Sequence, residues 1–274
     1  MTFRILLLAI VLSIQPNLFA SPPDFKIRPV PDGKLAVFKK QFSQHITVFG
    51  IHLFGTPNVP PAKLRHAAVI LAEYLDNDED GEPDNPDVLK TMIERDAFLV
   101  MTENERALSR LDHDVFQDAG FHHGQGQFAT KTNPGRDEFD ASLEEVLHLI
   151  THEGYAHTYP AVFGEKPGTV LAKCLDRARG GHFRRVPRRY PKGAWFTYDD
   201  RSCDYGCQCA EYLYWSITSV LGAQDSPRRR RDICHEWRLF NRELVEEGDP
   251  EIYKLITDPK YKLPSKLPDG KYRE

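Results

Sequence analysis

The stretch "SLEEVLHLITHEGYAH", Ser142 to His157, gathers three histidines and three glutamates within fourteen residues, Glu144 to His157. Glu144, His148 and His152 recur every four residues, so on a helix their side chains share one face. Val146, Leu147, Leu149 and Ile150 occupy much of the rest. Carboxylate and imidazole one turn apart, set among apolar neighbours, are what a helix needs to hold a metal ion. Taken singly, the same residues also have ordinary readings. Ser142 and Glu145 have the spacing of a capping box, His152 in a last turn suits the helix dipole, and His148 between two leucines suits a core.

Glu145 and His148 also match the second and fifth positions of H-E-x-x-H, with Glu144 in the first. On these residues the chain resembles the zincin metallopeptidases, in which the Glu is the general base and both His bind zinc. The resemblance implies that Glu145 is the base and that Glu144 and His148 are zinc ligands. As in the glutamate-type zincins, a third ligand is then expected from a later helix. Glu211 in "CAEYLYW" matches that place, and His152 is the candidate for a fourth ligand. A peptide or protein substrate is implied with it.

A second cluster lies in "DNDEDGEPDNPD", Asp76 to Asp87. Acidic residues Asp76, Asp78, Asp80, Glu82, Asp84 and Asp87 fall at positions 1, 3, 5, 7, 9 and 12 of a twelve-residue frame, with Gly81 at position 6. That is the ligand pattern of an EF-hand loop, which supplies oxygens to calcium around a glycine turn. Pro83 and the short Asp87 depart from the family, so the loop reads as a structural calcium site, the alternative being a solvated acidic turn. His122 and His123 in "FHHGQGQF" form a weaker signal and are read as a surface loop. No G-x-S-x-G elbow or phosphate loop is present, so serine hydrolase and nucleotide chemistry have no support.

These residues need a scaffold. "KLAVFKKQF" and "HITVFGIHLFG" read as strands over Lys34–Phe42 and His45–Gly55, and "DAFLVM" as a short buried strand. Ala62–Leu75 has helical spacing after prolines that suit a first turn, and a second helix is expected beyond the acidic loop. The histidine helix is expected to stop at Gly154, "EYLYWSITSVLGAQ" is an apolar helix, and "HEWRLF" is read as ordinary helix. The whole predicts one helix-rich α+β domain over 21–274, its small N-terminal β element and calcium loop (21–135) followed by a mainly helical zincin-like half (136–274).

The 274 residues, 41% hydrophobic and 28% charged, are ample for a core. "MTFRILLLAIVLSIQPNLFA" has the layout of a secretory signal peptide with cleavage after Ala20. Its removal takes away Arg4 and moves the formal charge from −4 to −5. Such a chain is a poor candidate for nucleic acid, and no segment after the leader is apolar enough to span a membrane. "PRRRRD" (Pro227–Asp232) and "FRRVPRRY" are read as solvated surface. Of the five cysteines, four are expected to form two disulfides in an oxidising compartment. The expectation is a secreted, calcium-stabilised, zincin-like metalloprotein with zinc peptidase activity. The alternative is a non-catalytic extracellular calcium-binding module.

Overall fold

A computed structural model describes residues 22–135 and 138–273; the leader expected over 1–20 lies outside them. The fold is α+β and rich in helix. "QHITVFGIHLFG" folds back on itself as an antiparallel hairpin of β1 (Gln44–Val48) and β2 (Ile51–Gly55), where one long strand was expected. The two-residue turn places Phe49 and Gly50 at φ 48° and 92°. Two successive positive φ values give the twist that joins such strands, and glycine adopts its share without strain. The segment expected as a first strand is instead a 3₁₀ helix, Gly33–Lys40. The reason is its partners. Phe38 and Phe42 must reach one cluster from positions four apart, and their ring centroids lie 6.1 Å from each other.

Helix α1 (Pro61–Leu75) and α2 (Pro86–Glu94) carry the chain to β3 (Phe98–Thr102), parallel to β2. Short helices α3 (Glu105–Leu108) and α4 (Asp114–Asp118) then lead to β4 (Gly124–Phe128), parallel to β3 and at the sheet edge. β3 is buried along its whole length because both faces are covered. Phe98 and Val100 join Phe38, Phe54, Phe116 and Phe121 on one side, while Leu99 and Met101 join the main core with α1 on the other. The period of two thus sorts one strand between two cores.

The main core continues into α5 (Ser142–Leu149), a wide π turn (Ile150–Tyr155) and, past the short α6 (Ala156–Thr158), α7 (Val170–Ala178) and α8 (Tyr205–Val220). Helices α9 (Pro227–Ile233), α10 (Arg242–Gly248) and α11 (Pro250–Ile256) complete the described elements. The histidine helix therefore does not stop at Gly154. An ideal Cβ there would sit 2.6 Å from Val88, so this glycine serves close packing on α2 rather than termination. "HEWRLF" is not helical either, since Trp237 pairs as a bridge with Phe196 and donates its indole N–H to Ser219 and Leu239.

One disulfide, Cys203–Cys207, is present among the described residues instead of the two expected. Its Cα atoms are 5.3 Å apart because it spans the first turn of α8, whereas Cys174 and Cys209 are buried and Cys234 is exposed, all three free. The C-terminal segment closes the fold against α1. The buried carboxylate of Glu73 accepts backbone N–H groups of Asp269, Gly270 and Lys271, and Asn77 Oδ1 accepts those of Ser265 and Lys266.

Candidate metal centre

The start of α5 is fixed from two sides. Asp140 accepts the N–H groups of Ser142 at 3.0 Å and Asn133 at 2.8 Å, and its other oxygen lies 2.5 Å from His66 Nε2 on α1. Gln127 of β4 donates to Ser142 Oγ, so no capping box forms and Glu145 is left for other work. Glu211 is set by α8, whose cap Asp204 accepts the Cys207 N–H at 2.9 Å beside the disulfide. Helices α5 and α8 pack together, and that contact brings Glu144, His148 and Glu211 into one group, with one potential donor atom from each all within 4.8 Å of one another.

His148 decides the character of this group. Its Nε2 is buried with no hydrogen-bond partner, 3.6 Å from Glu211 Oε1. Burial pushes the imidazole pKa down, so the ring is neutral and one nitrogen carries a free lone pair. An orphaned buried nitrogen is costly unless something accepts that lone pair. A 3.6 Å separation is close to the edge of a tetrahedron with bonds of about 2.1 Å, about 3.4 Å. The donor set, one imidazole and two carboxylates, suits a divalent cation.

A phenol neighbours each carboxylate. Tyr214 neighbours Glu144, and its hydroxyl is held by Arg229 at 3.1 Å and Gln224 at 3.3 Å. Tyr198 neighbours Glu211. Burial pushes both carboxyls up, Glu211 to about 7, with Tyr198 acting in the opposite sense. Glu145 is pushed up to about 8 by burial and by the neighbouring Glu144, against the donation it receives from Gln125 of β4 at 2.6 Å. Two buried acids with raised pKa values beside an unpaired imidazole are a group that a divalent cation would stabilise.

His152 does not join them. Glu165 takes its Nδ1 at 2.6 Å, and the ring is half exposed. His123 pairs with Glu153 at 3.1 Å and Arg95 at 3.0 Å, while His122 lines a separate cavity. In the acidic loop Asp76, Asp78 and Asp80 converge, and Asp84 feels the charges of Asp78 and Asp80. Asp87 stands exposed in the first turn of α2 and is not in that group; Glu82 follows Gly81 in the same loop. Asp76 also accepts the Gly81 N–H at 2.8 Å and the Tyr272 hydroxyl.

A third group, Asp199, His235 and Glu236, escaped sequence reasoning because its members come from two loops. Only the His235-Glu236 pair was visible, within a segment read as helix. Arg229 was likewise read as solvated surface, yet its guanidinium lies 3.8 Å from the centroid of Phe139 and holds Tyr214. No protein-family model matches the chain, and no curated protein and no solved structure matches it.

Proposed function

We propose that this chain is a zincin-like metalloprotein that binds one zinc ion through Glu144, His148 and Glu211 and hydrolyses peptide bonds. The observation that carries the reading is the buried, unpartnered Nε2 of His148 between two carboxylates. Zinc bound there would act as a Lewis acid on a substrate carbonyl and on water. Glu145 adjoins the ligand set without belonging to it, and it takes and returns the proton as general base and acid. Its pKa of about 8 without metal falls when a cation neutralises Glu144 and Glu211, which brings it toward working pH. Gln125 fixes the carboxylate that must face the reacting atoms.

Calcium in the loop around Asp76, Asp78 and Asp80, and secretion into an oxidising compartment, belong to the same reading; the carboxylate group and the Cys203–Cys207 bridge support them. The test is elemental analysis of the purified protein with a peptidase assay. One equivalent of zinc and chelator-sensitive cleavage are expected. Calcium alone, with no cleavage, would favour the non-catalytic module.

A further inference from the structure

Beside the metal centre lies a groove of about 500 Å³ walled by Arg188 and Arg189 on one loop and by Arg201 and Arg238 from two others. Two carboxylates, Asp199 and Glu236, face these four guanidinium groups. Among the described residues none of the four is drawn into an ion pair, whereas Arg177, Arg179 and Arg230 each have an acidic partner. Four arginines free of ion pairs against two carboxylates in one concavity leave an excess of positive charge, a recognition surface for carboxylate, since their planar forks match it in pairs.

The walls are pinned. The Tyr190 hydroxyl, one residue beyond Arg189, donates to the Tyr198 carbonyl at 3.2 Å and accepts the Tyr198 N–H at 3.1 Å. Thr197 donates its N–H to the Glu236 carbonyl at 2.7 Å and its hydroxyl to the His235 carbonyl at 2.6 Å, and Arg238 N–H bonds Trp195. Tyr198 is therefore the partition between the two places, since it lines the groove and neighbours Glu211. A ligand lying in the groove rests against the same tyrosine that neighbours Glu211.

We propose that this groove binds an acidic segment of a peptide substrate, so that the enzyme cleaves next to aspartate or glutamate side chains. The proposal rests on the hydrolase reading for the word substrate, and on the groove alone for the binding. Charge complementarity selects the acidic peptide over a neutral one, and the pinned loops mean that little ordering is needed on binding.

The experiment measures anisotropy of labelled peptides of one length, rich in Glu and Asp, in Gln and Asn, or in Lys, with the zinc-loaded protein, and determines zinc content in parallel. The acidic peptide is expected to bind at least about tenfold tighter than its amide counterpart, weakening with salt. R188Q/R189Q and R201Q/R238Q, all at exposed positions lining the groove, should each remove most of that preference with zinc content and circular dichroism unchanged. Equal binding of acidic and amide peptides, or a preference that survives both double variants, overturns the proposal. So does tight binding of heparin that acidic peptides fail to displace, which would assign the groove to a polysaccharide. Absence of zinc with the acidic preference intact would sink the hydrolase reading and leave the groove's selectivity standing.

Discussion

The Nε2 of His148 and the Oε1 of Glu211 face each other across 3.6 Å, and the imidazole nitrogen is buried without a hydrogen bond. They come from α5 and α8, sixty-three residues apart in sequence. Only the packing of those two helices creates the pair. A hydrogen bond would be shorter and a hydrophobic contact would not use these groups, whereas two ligands of one ion belong at about this spacing.

Replacing His148 by Ala should therefore abolish zinc binding while far-ultraviolet circular dichroism stays native. Zinc by mass spectrometry, near one equivalent in the parent chain and near none in the variant, is the readout. If zinc is unaltered and the protein is merely less stable by about 1 to 3 kcal/mol, His148 is a core residue and the metal centre is lost as an idea.

Glu145→Gln separates chemistry from binding. The amide cannot take up a proton, so turnover should fall by about 10² to 10⁴ with zinc content unchanged. Retained turnover at full zinc occupancy would exclude Glu145 as the base.

How far this site could be read in advance depended on which signals are local. The four-residue spacing of Glu144 and His148 is a property of one helix, so it was legible, whereas Glu211 was named only because the zincin resemblance implies a glutamate ligand on a later helix. His152 has the same spacing, yet Glu165 captures it, and nothing in sequence separation reveals such a competitor. The β4 strand was missed because "GQGQF" has no apolar alternation; it forms because β3 offers an edge and Gly124 lets the Phe98 ring lie over it. Lys34–Phe42 misled in the opposite way, having strand composition but contacts at helical intervals. Helix α1, started by prolines and patterned along its length, was read nearly to the residue, and α2 was expected beyond the acidic loop without bounds.

Proton linkage gives a third prediction, for the metal-free protein. Glu145 at about 8 and Glu211 at about 7 in the folded state compare with an ordinary carboxyl near about 4.3 in the unfolded chain. The folded state then holds more protons between these values, so both groups contribute stability that is lost as pH rises through 7 and 8. Glu236, pushed up to about 7, and His152, raised by Glu165, act in the same sense. His148, His45 and His52 are shifted down and oppose the trend only below about 6.5. The melting temperature without metal should accordingly fall between pH 6.5 and 8, and zinc affinity should climb over the same interval as protons are displaced. A melting temperature that rises with pH there contradicts the raised carboxyls.

Calcium supplies the fourth. If Asp76, Asp78 and Asp80 share an ion, calcium at a hundred times its dissociation constant should stabilise by about 2.7 kcal/mol relative to chelator. Asp78→Asn, at an exposed member of the group, should remove most of that difference and leave zinc content alone. Identical melting curves with calcium and with chelator would show the loop to be a solvated turn.

The hold of Glu73 and Asn77 on residues 265–271 joins groups separated by 188 to 198 positions. During synthesis α1 and its acidic end are complete long before their partners leave the ribosome. Until then the Glu73 carboxylate lacks the three amides that satisfy it, and helix α1 has an open flank. Closing so long a loop carries its entropic cost before its reward, which makes this seam a late event in folding. The seam ties the acidic loop and its helix to residues 265–271, so a product lacking those residues leaves the Glu73 carboxylate without its amide partners.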